Sequence, residues 1–522
     1  MRKRKEESGR LPRPTGLSTF LSGPMASEFS IPIRNIMRSV TRRDLLKTIP
    51  AGIGALSLSR GLAAATQPNI VYMMADDHSA SAISAYGSRI NKTPNIDRIA
   101  DGGMRMDNCF CTNSICTPSR AAILTGQYSH INGVKTLNDK IDPAHENVAK
   151  YLQGLGYQTA MIGKWHLVTN PTGFDYWNIL PGQGVYHNPV LFDMGVRKQH
   201  TGYATDIITD ISLEWLKRRD QSKPFFLMCH HKAPHRPWEP DEKHMNMYTE
   251  PIPEPDNLLD KYEHRSKAAA NATNKIGQNM TKTDTKVDPP AGLDAPGLRH
   301  WAYQRYLQDY LRCVASVDDN VVRVLDYLDQ EKLAANTIVI YTSDQGMFLG
   351  EHGFFDKRFM YEESLRMPFV IQYPAAIKAK SVNRDIVLNI DFAPTFLDYA
   401  GKMKPNEMQG RSFRPLLEGH TPKDWRKAMY YRYWMHMADH GVPSHYGIRT
   451  QRYKLVFYYG KPLGAAGALP QETAPEWELF DLEKDPKEMN SLYGNPKYAK
   501  IQKQLTEEMY KLQKDFGDLP VT

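Results

Sequence analysis

Four separated stretches place reactive side chains directly after short apolar runs: Asp76-Asp77, Gly163-Lys164-Trp165-His166, His230-His231-Lys232-Ala233-Pro234-His235 and Ser343-Asp344-Gln345-Gly346. Asp76, Asp77, Asp344 and Gln345 all offer oxygen ligands. Without a histidine or thiolate beside them they suit a hard cation, Ca2+ ahead of Mg2+. A cation there offsets the charge of a sulfate or phosphate ester and polarises a bound oxygen. Each stretch alone has an ordinary reading: an Asp pair caps a helix, and a Lys or His after a strand faces solvent. Their coincidence marks a site.

A fifth stretch is Cys116-Thr117-Pro118-Ser119-Arg120-Ala121-Ala122-Ile123-Leu124-Thr125-Gly126. Pro118 suits the first turn of a helix and Gly126 its end. Cys116 then stands at a helix N-terminus, where the dipole and free N–H groups favour an anion. Read from the residues alone it is a candidate for a thiol of lowered pKa, with a buried structural cysteine as the alternative.

These groups need a scaffold that gathers them. Buried-strand patterns occur at 69–74, 158–162, 225–229 and 337–342, and helical patterns at 96–102, 147–155, 204–218 and 301–329. Such alternation predicts an α/β fold: a large mixed, mostly parallel sheet sandwiched by helices. Sites in open α/β sheets form at the carboxyl ends of strands, where all four groups lie. The polar stretch 264–300 reads as a long insertion or mobile loop. Beyond about residue 420, strand patterns at 429–434, 453–459 and 477–482 and a helical pattern at 497–516 predict a smaller α+β subdomain. The expected organisation is a leader over 1–65, a catalytic domain over 66–420 and the C-terminal subdomain over 421–522.

The formal charge of +8 narrows the partners. Residues 1–65 hold 12 cations and 4 anions, and the remainder holds 54 of each, so the excess belongs to the first segment. No global basic field points to nucleic acid or an anionic membrane. Thr41-Arg42-Arg43-Asp44-Leu45-Leu46-Lys47, a short apolar run and Ala63-Ala64-Ala65 read as a twin-arginine export signal with cleavage near Ala65. The run is too short to span a bilayer, and no other segment is long and apolar enough. A chance Arg pair before a buried helix is the plainer alternative. Met25 or Met37 are alternative starts, because the stretch before Arg42 is long for such a leader. Five cysteines in 522 residues are too few for a disulfide scaffold; Cys109, Cys111, Cys229 and Cys313 either pair or stay buried.

The motif at 116–126 closely resembles the signature of the type I sulfatases, C-x-P-S-R followed by T-G. The resemblance continues through Asp76-Asp77, G-K-W-H at 163–166, A-P-H at 233–235, S-D-Q-G at 343–346, Gly350-Glu351-His352-Gly353, Phe355-Asp356-Lys357-Arg358 and Trp477-Glu478-Leu479-Phe480-Asp481-Leu482. It covers roughly residues 67–495. Gln345 departs from the Asn or His of many members but keeps a carbonyl oxygen.

The resemblance implies a sulfuric ester hydrolase whose Cys116 is oxidised to formylglycine. One hydroxyl of the hydrated aldehyde attacks sulfur, and the other then expels sulfate. It implies Ca2+ held by Asp76, Asp77, Cys116, Asp344 and Gln345, with Arg120 at the attacking oxygen and Lys164 and Lys357 on the sulfate. His235 is assigned as general acid and His166 as base, roles that could be exchanged. The stretch 350–364 looks like bacterial glycan sulfatases, including N-acetylglucosamine-6-sulfatases. Asp356, Arg358 and His445 are therefore candidate sugar contacts, and an exo-acting enzyme is expected; for Asp356 and Arg358 a structural salt bridge is the other reading. Implied partners are a sulfated glycan, a cytoplasmic formylglycine-generating enzyme and the twin-arginine machinery, with a periplasmic or cell-surface destination. The rivals are an iduronate-2-sulfatase or another glycan sulfatase, a phosphonate or phosphodiester hydrolase of the same superfamily, and a noncatalytic glycan-binding protein.

Overall fold

The structure, a computed structural model, describes residues 67–521. The expected leader lies outside the described residues. Four parallel strands make the centre: β1 (Asn69–Ala75), β2 (Gln158–Lys164), β3 (Phe225–His230) and β4 (Thr337–Ser343), in the spatial order β4-β1-β3-β2. Each matches a strand expected from sequence, extended by one or two residues toward the reactive groups. Flanking strands bring the sheet to ten and make it mixed: Phe369–Gln372 runs antiparallel to β4, and the hairpin Val190–Asp193 and Val196–Gln199 closes the far edge.

Burial on both sides explains why the central strands read as continuous apolar runs. Along β1, Ile70, Tyr72 and Met74 enter one core, while Val71, Met73 and Ala75 enter the other. This is the two-residue period of a strand acting on a sheet covered twice. One face is covered by α2 (Ala204–Arg218) and α3 (Ala295–Gln330), the other by α1 (Cys116–Thr125), Val148–Gly154 and Phe392–Tyr399.

A second, antiparallel sheet of four strands follows: Ala428–Tyr433, His445–Thr450, Tyr453–Tyr458 and Glu476–Asp481, with the helix Ala499–Asp515 against it. It shares one apolar core with the large sheet, and the described residues pack as one compact unit. Its second strand carries only short apolar signals in His445-Tyr446-Gly447-Ile448.

The stretch 264–300 is not a mobile loop. Ala268, Ala269, Ala272, Asn274, Ile276 and Asp284 are buried. Backbone hydrogen bonds tie it down: Thr273 N–H donates to His440 O (2.7 Å), Ile276 N–H to Gly353 O (2.9 Å) and Phe355 N–H to Asn274 O (2.9 Å). Its last residues start the long α3, which begins at Ala295 behind the cap Asp294, ahead of the apolar pattern at 301. All five cysteines are buried and unpaired.

Candidate active site

The strand ends converge as their positions predict. Beyond β1, Asp77 takes φ 65, a left-handed conformation costly for a non-glycine residue. It is held there by its N–H to Asp344 Oδ1 (3.2 Å) and by Tyr310 Oη–H donating to its carbonyl (2.9 Å). The β2 end is squeezed against β3: Gly163 has φ 101, and a Cβ there would stand 2.0 Å from His230 O. Only glycine permits that approach. Lys164, next in line, is fully buried and pairs with Asp76 Oδ2, while donating to Gln183 Oε1 (2.6 Å).

All ten residues of α1 are buried, and Gly126 ends it in the left-handed conformation. Its first turn reaches the strand ends. Arg120 donates through Nε to Asp344 Oδ2 (2.9 Å) and through Nη1 to Lys164 O (2.5 Å). Cys116 Sγ lies 3.5 Å from Asp76 Oδ1 and 3.9 Å from Gln345 Nε2. Lys357 Nζ donates to Asp77 Oδ2 (2.7 Å). His235 donates Nδ1–H to Arg236 O (2.5 Å), since a carbonyl only accepts, which leaves Nε2 3.7 Å from Asp77 Oδ2. His166, at φ 55, sits with Nδ1 3.4 Å from Thr117 Oγ1, which donates to the His166 carbonyl (3.0 Å).

Buried ion pairs make up this base: Asp76, Asp77 and Asp344 face Arg120, Lys164 and Lys357, with the buried Lys232 close enough to help push Lys164 down. Burial would raise the Asp344 carboxyl, but Arg120, Lys164 and Lys357 hold it below the usual carboxylate range. Burial and the cations Lys164 and Arg120 push His166 down to about 2. His235 is driven the same way by burial, Lys164 and Lys357.

The residues fit a hard divalent cation. Carboxylate oxygens of Asp76, Asp77 and Asp344 lie within 4.8 Å of one another, and Gln345 joins them through Nε2, which donates to Asp77 Oδ1, while its buried Oε1 has no hydrogen-bond partner. A buried carbonyl oxygen left so is costly unless something electropositive meets it.

Above the base opens a cavity of about 600 Å³, lined by Cys116, His235 and Lys357 below and by Arg236, Asp356, Arg358 and His440 around the rim. That size suits a small ligand. Asp356 and Arg358, at φ 72 and 89, pair through Nε and Oδ1 (3.2 Å), and His440 Nε2 approaches Asp356 Oδ2 (3.3 Å).

Comparison with known proteins identifies the family of the chain. The sulfatase family model matches residues 68–402, and the model of the N-sulphoglucosamine sulphohydrolase C-terminal region matches 350–515. The chain belongs to the sulfatase family. It is 44% identical over 498 residues to the N-acetylglucosamine-6-O-sulfatase of Bacteroides thetaiotaomicron, covering 87% of each chain. The N-acetylglucosamine-6-sulfatase of Capra hircus is 29% identical over 73% of this chain and 69% of the relative. A solved structure of a protein in complex with its substrate, D-glucosamine-2-N,6-O-disulfate, superposes with TM-score 0.83 at 44% identity, over 87% of this chain and 98% of that one. The phosphonate monoester hydrolase of Agrobacterium radiobacter, at 20% identity and TM-score 0.68, shares the fold over 86% of this chain and 96% of that one.

As a sulfatase the protein is a sulfuric ester hydrolase, and two expectations about it change. Cys116 is not a thiol of lowered pKa: burial pushes it up to about 12, assisted by Asp77 and Asp344 against the pull of Lys357. The helix N-terminus does not outweigh desolvation. His445 does not reach the cavity. Its ring is fully buried among Tyr431, Tyr433 and Tyr458, and Nδ1–H donates to Pro443 O (2.7 Å). It backs the rim through Tyr433, whose hydroxyl meets Arg358 Nη1 at 3.4 Å. Sequence reasoning missed Gln183, Arg236, Asp439 and His440. Only Arg236 carried a signal, its place beside His235.

Proposed function

We propose that the protein is an exo-acting carbohydrate sulfatase that releases sulfate from N-acetylglucosamine-6-sulfate, with a formylglycine made from Cys116 as nucleophile. The observation that carries this is the placement of Cys116. Its Sγ points from a buried helix start into the cluster of Asp76, Gln345, Lys357 and His235, at the floor of a sugar-sized cavity. The protonated thiol is a poor nucleophile there. The aldehyde hydrate supplies the two hydroxyls that the reaction needs.

Asp76, Asp77, Asp344 and Gln345, with the group at position 116, would hold the cation, Ca2+ in preference to Mg2+. Bound there, it polarises the ester oxygens and takes up charge in the transition state. Lys232, also buried close by, adds to the positive field that meets a sulfate monoester. Lys164 and Lys357 lie on either side and stabilise charge building on the sulfate oxygens. Arg120, locked by Asp344 and the Lys164 carbonyl, keeps Nη2 without a hydrogen-bond partner and stabilises the attacking oxygen.

His235 faces the leaving group. With Nδ1–H committed to Arg236 O, Nε2 is the atom that carries the proton to the departing alkoxide. An anionic sulfate opposite it offsets Lys164 and Lys357 and raises its affinity for that proton. His166 is neutral under the same cations; a sulfate bound against Lys164 and Lys357 offsets them and raises its proton affinity, and His166 then serves as the base at position 116 through the Thr117 turn. Asp356 and Arg358 take sugar hydroxyls, with His445 behind them. The relatives named as N-acetylglucosamine-6-sulfatases support the sugar and the position.

The division into a leader over 1–65, a catalytic part over 66–420 and a C-terminal part over 421–522 belongs to the same proposal, with maturation by a cytoplasmic formylglycine-generating enzyme and twin-arginine export to the periplasm or cell surface. Among the described residues no helix is long and apolar enough to cross a membrane.

The test is a panel of sulfated monosaccharides, with mass analysis of the peptide spanning Cys116. Formylglycine makes that peptide about 18 Da lighter, a carbonyl oxygen replacing SH and H. Sulfate release from N-acetylglucosamine-6-sulfate supports the reading; turnover of iduronate-2-sulfate alone, or full activity with an unmodified Cys116, overturns it. Cell fractionation, and retention in the cytoplasm after Arg42→Lys with Arg43→Lys, tests export.

A further inference from the structure

Three cationic side chains line the cavity, one at its floor and two at its rim, and two of the three already serve other partners. Lys357 Nζ is bound to Asp77. Arg358 meets Asp356 through Nε, Tyr433 through Nη1 and Asp439 through Nη2. Arg236 differs. Its Nε and Nη2 grip Asp284 Oδ1 (2.5 Å) and Oδ2 (2.7 Å), a two-pronged pair, and Nη1 makes no hydrogen bond to any described residue. The guanidinium lies 5.2 Å from the Phe355 ring centroid, beside Asp356. The side chain is 30% exposed, while Asp284 is fully buried.

Asp284 is itself fixed. It accepts from Thr281 N–H (2.7 Å) and Thr281 Oγ1–H (3.1 Å) in a capping box on Lys282–Thr285. Residues 264–300 thus fold a turn whose buried carboxylate sets the angle of an arginine on another segment. The fork geometry of guanidinium and carboxylate makes this hold directional.

We propose that Arg236, positioned by Asp284, is a specificity-determining residue that donates Nη1–H to an acceptor-only oxygen on the sugar's nitrogen substituent. Sugar hydroxyls both donate and accept, so carboxylates such as Asp356 and Asp439 can read them. The carbonyl of an acetamide, or the oxygens of a sulfamate, only accept and so require a donor, and a cationic one binds them most strongly. Arg236 Nη1 is the cationic donor left uncommitted on this wall. The inference rests on the substrate reading above and deepens it.

The experiment compares kcat/KM for N-acetylglucosamine-6-sulfate, glucosamine-2-N,6-O-disulfate and glucose-6-sulfate in wild type, Arg236→Ala, Arg236→Lys and Asp284→Asn. The expected result is a fall of roughly 10–100-fold in the preference for the N-substituted sugars over glucose-6-sulfate in Arg236→Ala, carried mainly by KM, as for loss of a charged hydrogen bond. Asp284→Asn shows the same direction, and Arg236→Lys recovers part of it. A sulfamate partner is marked by a larger, salt-sensitive loss on the disulfate; a carbonyl partner by equal losses on both N-substituted sugars. An unchanged preference in a folded Arg236→Ala, or an equal loss on all three sugars, overturns the proposal. Failure of wild type to release sulfate from any N-substituted 6-sulfate overturns the substrate reading instead. The Arg236 variants are then compared on whichever sulfated sugar is cleaved, against its analogue lacking the acceptor-only substituent. A lost preference there supports the role of Arg236, and an unchanged one overturns it.

Discussion

The base and the rim of the cavity are built on opposite plans. The base is made of strand ends and one helix turn, and Asp76, Lys164, Asp344 and Gln345 are wholly buried there. Its polar groups answer each other across a rigid sheet. The rim is made of loops brought from distant parts of the chain, with Arg236, Asp439 and His440 partly open to solvent. Its charges are paired two by two on the wall: Arg236 with Asp284, Arg358 with Asp356. A rigid base suits a reaction common to every sulfate ester. A rim of separate pairs can be altered without moving the base, so selectivity belongs there.

If that contrast is right, variants of the base lower kcat and those of the rim raise KM. The largest effect is expected from Cys116→Ala, which loses about 10⁴-fold or more in turnover on every substrate, as for removal of a covalent nucleophile; residual activity within tenfold of wild type would break the contrast. Next comes Asp344→Asn, which loosens Arg120 and removes a negative charge from the cation's ligand set. A loss of about 10³-fold is expected, and chelation of wild type should mimic it, with Ca2+ restoring activity better than Mg2+. His235→Gln should cost about 10²–10³-fold for a sugar sulfate, and much less for an ester whose leaving group needs no proton; equal losses on both would remove it from the acid role. At the rim, His440→Ala strips Asp356 of a partner, and a rise in KM of about tenfold with kcat within a factor of three is expected. Inverted kinetics there would erase the distinction.

The smallest effect concerns what stands behind the rim. His445 is held neutral, with burial lowering it to about 4. Between its unfolded value near 6.5 and about 4 the unfolded chain binds more protons, so stability falls as pH falls across that window. A contribution of up to about 3 kcal/mol follows from the shift. Denaturation of His445→Phe at pH 7 and pH 4.5 should show a flatter pH dependence than wild type; identical slopes would sink the assignment.

The base is legible in sequence and much of the rim is not. Strands such as Asn69–Ala75 and Thr337–Ser343 announce themselves because both faces are buried, and the groups after them can only gather at one end of the sheet. Residues 264–300 lack that signal. What orders them is backbone hydrogen bonding to Gly353, Phe355 and His440, together with one buried carboxylate, Asp284. None of these leaves a periodic trace. His445 misleads for the opposite reason: a histidine beside tyrosines reads as a site, yet here it is wrapped in their rings. The helix start at Cys116 is legible as geometry, but burial outweighs the dipole, a balance that sequence does not display.

The burial of α1 also fixes an order of events. Every residue from Cys116 to Thr125 is buried, so a second protein cannot grasp this segment once the chain has closed over it. If the cysteine is converted by another enzyme, that enzyme must race the fold. The rate at which the large sheet assembles around the helix then sets the fraction of molecules that ever become active, and the yield of working enzyme is decided on the timescale of synthesis.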